Sequence, residues 1–202
     1  YFYAYQCNWQ FSNQISRLSN QIGHETLSHK IEQISSNMVE LCNLYQQDVT
    51  EKEIELLTFF SKQDNLTSST KSTIYARRGI INEIMRRYDL ALKDLSRSIE
   101  LDPTNSSAFV WRGITYDKMD KHKEAILDFD QAIDLNPKFD WAFGNRGFAY
   151  ESVGKHDEAL HDFTKAIEIN PKDIWVITNR GRVYKSIEKY DEAIQDLTRA
   201  IE

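Results

Sequence analysis

Rare residues in this chain fall on a single period. The three prolines, Pro103, Pro137 and Pro171, stand 34 residues apart, and so do four of the seven glycines, Gly79, Gly113, Gly147 and Gly181. Residues that punctuate the backbone do not recur at a fixed step by chance, so the chain is an array of repeated units. Other columns keep the step: Ala91, Ala125, Ala159 and Ala193; Asp94, Asp128, Asp162 and Asp196; Ile99, Ile133, Ile167 and Ile201. The units run over 72–105, 106–139, 140–173 and a truncated 174–202.

Each unit reads as two helices. In the third, Trp141 to Val153 forms one helix and His156 to Ile169 the next, with Gly154 at the turn. Asn170-Pro171 then stops the chain, because proline pushes the residue before it out of the α conformation. Ala159, Leu160, Phe163, Ala166 and Ile167 recur at helical spacing and make one apolar stripe. Gly147 and Ala159 are small where two helices must approach closely.

These columns resemble the tetratricopeptide repeat, whose pattern is an aromatic, Leu-Gly, Tyr, Ala, Phe, Ala and Pro over 34 residues. In the second unit they are Phe109, Arg112-Gly113, Tyr116, Ala125, Phe129, Ala132 and Pro137. In the third they are Phe143, Arg146-Gly147, Tyr150, Ala159, Phe163, Ala166 and Pro171. The first unit departs, with Asn82 in the Tyr column and Ser98 in the second Ala column. The resemblance covers 72–202 and implies an all-α, right-handed superhelix of helix pairs behind an N-terminal helical leader or cap.

One departure is systematic. The family's Leu is replaced by Arg78, Arg112, Arg146 and Arg180, and each is followed sixteen residues later by Asp94, Asp128, Asp162 or Asp196. The spacing predicts a ladder in which an Arg on each first helix grips an Asp on the second, its stem covering apolar surface. The rival reading is a row of four ligand-binding arginines.

Residues 1–71 match no family pattern. They contain no proline and one glycine, and 23 of the 71 are Ser, Asn or Gln. Their apolar residues are nevertheless periodic: Phe11, Ile15, Leu18 and Ile22 predict one helix, and Leu27, Ile31, Ile34, Met38, Leu41 and Leu44 a second. Thr50 and Glu53 suit a capping box opening a third helix through Ile54, Leu57 and Phe60. We therefore read 1–62 as a helical leader or cap and the polar stretch 63–71 as a linker. Self-association through 27–45 is an expected alternative use. The fourth unit stops before its proline column, leaving Ile194, Leu197 and Ile201 without their usual neighbour. More repeats or a partner would cover that face, and the missing initiator Met also suggests a fragment.

Composition excludes several functions. A net charge of −6, split evenly as −3 over 1–71 and −3 over 72–202, argues against a nucleic-acid partner, which needs a basic footprint. No apolar run is long enough to span a bilayer. Cys7 and Cys42 are too few for a disulfide or zinc framework, and a reducing, cytoplasmic location is the expectation. His24 and His29 stand five apart, which on a helix turns the second ring roughly 140° from the first, so they cannot share a zinc ion. His156 and His161 fail in the same way, while His122 and His156 share a column with Tyr88 and Tyr190 and read as packing residues. No phosphate loop and no nucleophile elbow appears. The expectation is a non-enzymatic chain with no cofactor and no metal.

What the resemblance implies for function is a concave face lined by first helices that holds a protein or peptide ligand. The residues matching the family's contact positions are Trp111, Ile114, Trp141, Asn145, Phe148, Trp175, Asn179 and Arg182. Tryptophans with neighbouring amides suit apolar peptide anchors. Asn145 and Asn179 are expected to hold ligand backbone and Arg182 to meet an acidic group. Of the family's clamp for chaperone tails only Asn145 is present, so that ligand is not expected. The Arg-Gly style of repeat also resembles sensor segments of large multidomain ATPases and effector enzymes, which is the alternative function.

Overall fold

The computed structural model describes residues 51–64 and 66–201. Contacts divide the chain into two units, Tyr1–Leu56 and Leu57–Glu202. Of the first, the described residues 51–56 are helical, and the helical run reaches 61. The helices predicted over 11–22 and 27–45, the self-association through 27–45, Cys7, Cys42, His24 and His29 all lie outside the described residues.

From residue 68 onward the chain is four helix pairs. They are α1 (Ser68–Ile84) with α2 (Tyr88–Leu101), α3 (Ser106–Asp117) with α4 (His122–Leu135), α5 (Asp140–Ser152) with α6 (His156–Ile169), and α7 (Ile174–Ser186) with α8 (Tyr190–Arg199). No strand occurs among the described residues. The stretch expected as a linker, 63–71, is only partly one. Thr67 caps α1 by accepting from the Thr70 amide, so the helix starts inside it at Ser68. Asn105 and Asp173 cap α3 and α7 in the same way, through the amides of Ala108 and Val176.

Between units the Asx-Pro columns form tight turns. The side chains of Asp102, Asn136 and Asn170 accept from the amides of Thr104, Lys138 and Lys172 just beyond the proline. Within units the first helix ends on a left-handed residue, Arg86, Asp120, Gly154 and Glu188 in turn, with φ of 58°, 59°, 75° and 63°. The next amide in each case reaches back five residues, as Lys155 N–H does to the Tyr150 carbonyl. Only the third unit uses glycine there.

The core is built serially. Phe109, Val110, Ala125, Phe129, Ala132, Ala142 and Ala149 form one buried cluster from α3, α4 and α5. Ala159, Phe163, Ala166, Ile167, Val176, Ile177 and Val183 form another from α6 and α7. The glycine column lets the paired helices close: a Cβ on Gly113 would lie 2.6 Å from Phe129 Cε1, and one on Gly79 2.7 Å from Leu95 Cγ. First helices touch across units, α1 with α3, α3 with α5 and α5 with α7, whereas second helices do not touch one another among the described residues. The array therefore curves with its first helices on the inner side.

The left-handed turn residue offers a test. Glu188→Gly removes the Cβ from a conformation that costs roughly 1 kcal/mol for a side-chain residue. It should raise the unfolding midpoint in a thermal melt, whereas Gly154→Ala should lower it.

Candidate functional site: the inner groove and its arginine clasps

All four Arg–Asp pairs predicted from spacing are present as two-pronged forks. Arg112 donates Nε to Asp128 Oδ2 at 2.8 Å and Nη2 to Oδ1 at 2.7 Å. Arg78 with Asp94, Arg146 with Asp162 and Arg180 with Asp196 repeat the geometry at 2.6–2.8 Å. The aspartates are buried, and each guanidinium also sits near an aromatic ring: Tyr75, Phe109, Phe143 and Tyr184 lie 5.2, 5.6, 5.6 and 5.9 Å from Arg78, Arg112, Arg146 and Arg180.

The spacing did not reveal the third prong. Nη1 of each arginine reaches back to the preceding second helix: Arg112 to Ser96 Oγ at 3.2 Å, Arg146 to Asp130 Oδ1 at 2.6 Å, Arg180 to Thr164 Oγ1 at 3.1 Å. Arg78 bonds Thr58 Oγ1 at 2.9 Å, so residues 57–61 serve the first unit as its preceding helix. Ser96, Asp130 and Thr164 are themselves 34 apart. They escaped notice because a serine, an aspartate and a threonine share no chemistry except an oxygen acceptor.

The charged state of the clasps follows from this bonding. The bond to Asp raises the Arg78, Arg112 and Arg180 pKa above the usual arginine value despite burial. For Arg146 burial is the largest influence and opposes the charge, but Asp162 and Asp130 together outweigh it and the pKa rises. Burial pushes the Asp128 carboxyl up against the pull of Arg112. Each clasp arginine directs three donors into the fold, which favours the ladder over the rival reading of four ligand-binding arginines.

The departures in the first unit are polar residues bonded within the fold, although Asn82 Oδ1 is enclosed without a partner. Ser98, in the second Ala column, exchanges a 2.9 Å bond with the Ser72 hydroxyl, and Ser72 also donates to the Ser98 carbonyl. Asn82, in the Tyr column, donates to Asp94 Oδ2 at 3.3 Å.

The candidate site residues lie on the first helices α3, α5 and α7. Trp111 packs edge-on against Trp141 with ring centroids 4.8 Å apart, and Phe139 lies beside Trp141 at 6.2 Å. Ile114 is half-buried against the α3–α5 core. Across the next seam Phe148 meets Trp175 at 6.1 Å, and Trp175 is 43% exposed. Gly144 makes room for it, since a Cβ there would lie 3.1 Å from Trp175 Cζ3.

The two asparagines bond within their own helices. Asn145 Nδ2 donates to the Trp141 carbonyl at 2.7 Å, and Asn179 Nδ2 to the Trp175 carbonyl at 2.8 Å. One amide N–H of each is thus used on its own helix one turn back, where it braces the tryptophan. Arg182 remains exposed, with Nη1 on Asn179 Oδ1 at 3.1 Å. His122, expected to pack, holds Asp117 Oδ1 through Nδ1 at 2.7 Å. A cleft of about 330 Å³ lined by Arg146, Tyr150, Asp157, Glu158, His161 and Asp162 lies between α5 and α6, beside the clasp and apart from these aromatics.

Removing one clasp partner should be costly. Asp162, 2% exposed, leaves Arg146 with only Asp130 when replaced by Ala, a loss of about 3 kcal/mol by the usual cost of orphaning a buried charge. A urea denaturation series on Asp162→Ala checks it, and ligand affinity of the folded variant should not move.

Comparisons with known proteins agree with this architecture. Tetratricopeptide repeat patterns match residues 72–105, 106–139, 141–173 and 163–195. No curated protein matches the chain. A crystal structure of MamA is similar at 24% identity and a TM-score of 0.68, over 78% of this chain and 90% of that one. The first tetratricopeptide repeat domain of Spaghetti (RPAP3), bound to the HSP90 peptide SRMEEVD, is similar at 22% identity and a TM-score of 0.59, over 60% of this chain and 97% of that one. The Arabidopsis OM64 tetratricopeptide repeat domain is similar at 21% identity and 0.58, over 59% and 98%. With repeat patterns matched across 72–195, successive helix pairs and recurring alanine, glycine and proline columns, this chain belongs to the tetratricopeptide repeat family.

Proposed function

We propose that the chain is a non-enzymatic interaction scaffold whose inner groove holds a peptide or helix of a partner protein. The observation that carries this reading is the aromatic wall on the α5–α7 seam, where Trp175 is 43% exposed beside Phe148 on the inner side of the array. A large ring held open to solvent while its neighbours are packed supplies the kind of surface on which peptide anchors gain affinity. The wall is rigid. Asn179 ties the α7 backbone beneath Trp175, and the clasp of Arg180 with Asp196 and Thr164 fixes α7 against the third and fourth units. A fixed surface binds without the entropy loss of ordering itself. The RPAP3 domain with its bound peptide lends support by analogy of fold. No helix among the described residues is long and apolar enough to cross a membrane.

The test compares affinity capture by the wild type, Trp175→Ala and Leu127→Ala, the last removing an exposed leucine from second helix α4. With helicity by circular dichroism equal in all three, a partner held by the wild type and Leu127→Ala and lost by Trp175→Ala is the expected outcome. Equal capture by all three contradicts the groove.

A further inference from the structure

The groove changes sign along its length. On the first helices the acidic column reads Glu83, Asp117 and Glu151, and its fourth member is Lys185, which is exposed. The column three residues earlier reads Ile80, Ile114 and Phe148, and its fourth member is Arg182. The first two acids are already answered within the fold: Glu83 accepts from Lys118 Nζ, and Asp117 is bonded to His122. Two exposed cations thus gather on α7, one turn apart on the face that carries Trp175.

Arg182 is held differently from the clasp arginines. Its carboxylate neighbour, Glu151 Oε1, is 3.8 Å away, beyond hydrogen-bond range, and its side chain is 58% exposed. Arg146 by contrast has carboxylate oxygens at 2.6 Å on two sides. What fixes Arg182 is Asn179, itself 4% exposed, which accepts from Nη1 at 3.1 Å while donating to the Trp175 carbonyl. The amide is a bracket between the open ring and the open guanidinium. It aims one edge of the fork and leaves the remaining donors without a matched carboxylate.

Glu151 is an incomplete counter-charge. Its Oε2 is enclosed with no hydrogen-bond partner, and so is His156 Nδ1. These are the columns in which the second unit pairs Asp117 with His122, so a bonded alternative for Glu151 exists in this repeat design.

We propose that the α7 end of the groove is an anion subsite that takes an Asp or Glu side chain of a peptide whose apolar neighbour packs on Trp175 and Phe148. Arg182 forks the ligand carboxylate, Lys185 adds charge, Asn179 is the positioning residue, and Glu151 is the internal competitor that the ligand displaces. The subsite rests on the groove reading above and fixes the ligand's chemistry and direction: apolar anchor toward α5, acid along α7.

The experiment is selection from a phage-displayed library of random dodecapeptides on the wild-type chain, with selected peptides then measured by fluorescence anisotropy on variants of unchanged helicity. Wild type should enrich Asp or Glu at a fixed spacing from an apolar residue. Arg182→Ala should weaken those peptides about tenfold or more, and Glu151→Gln should tighten them. Arg182→Glu should select basic residues at the same spacing. Peptides that need Trp175 but are neutral or basic, or that lose affinity in Glu151→Gln, overturn the subsite and leave the groove standing. Selection of nothing, or of peptides indifferent to Trp175→Ala, overturns the groove reading and the subsite with it.

Discussion

The rest of this structure depends on one guanidinium with three directed bonds. In each unit two prongs close the helix pair on its aspartate and the third reaches the helix before it. The family's leucine at this column can only pack. An arginine there must also be paired, because a buried charge without partners costs several kcal/mol. The fork therefore turns a non-directional contact into one that fixes both the angle within a pair and the step between pairs. The joint of the second and third units differs from the others, since Arg146 meets the Asp130 carboxylate where its counterparts meet hydroxyls. Bonds between charged groups are shorter and stronger than neutral ones, and this one is the shortest of the three at 2.6 Å.

Much of the fold was legible in the sequence because the repeat multiplies each signal. A single Pro or Gly says little, whereas Pro103, Pro137 and Pro171 at one step mark the unit boundaries, and Arg146 with Asp162 sixteen residues on is a pair that three other units corroborate. Legibility failed where different residues do the same job. Arg86, Asp120 and Glu188 take the left-handed turn that only Gly154 advertises. Ser96, Asp130 and Thr164 accept the same bond with different groups. The start of α1 was hidden because Thr67 and Ser68 are polar residues typical of linkers and of helix caps alike.

The candidate site residues share the first helices, and their bonds differ from what the columns suggest. Trp111, Trp141, Phe148 and Trp175 do line the inner helices, because a period of 34 fixes which side of each helix a column occupies. Whether an asparagine amide faces a ligand or its own helix is decided by bonds one turn away, and columns carry no record of that. Asn145 and Asn179 each give one N–H to the carbonyl of Trp141 or Trp175, which makes them supports for the aromatic wall. On α7 an exposed ring and an exposed guanidinium share one braced helix.

The bond that crosses between units is where the clasp sets the register of the array. A double-mutant cycle on Arg146→Leu and Asp130→Ala, read as unfolding free energy in urea, isolates that bond from the fork within the unit. The account predicts a coupling of roughly 1–3 kcal/mol, in the range for hydrogen bonds between charged groups. Coupling indistinguishable from zero would mean that the third prong carries no energy. The register of the array would then rest on apolar packing alone.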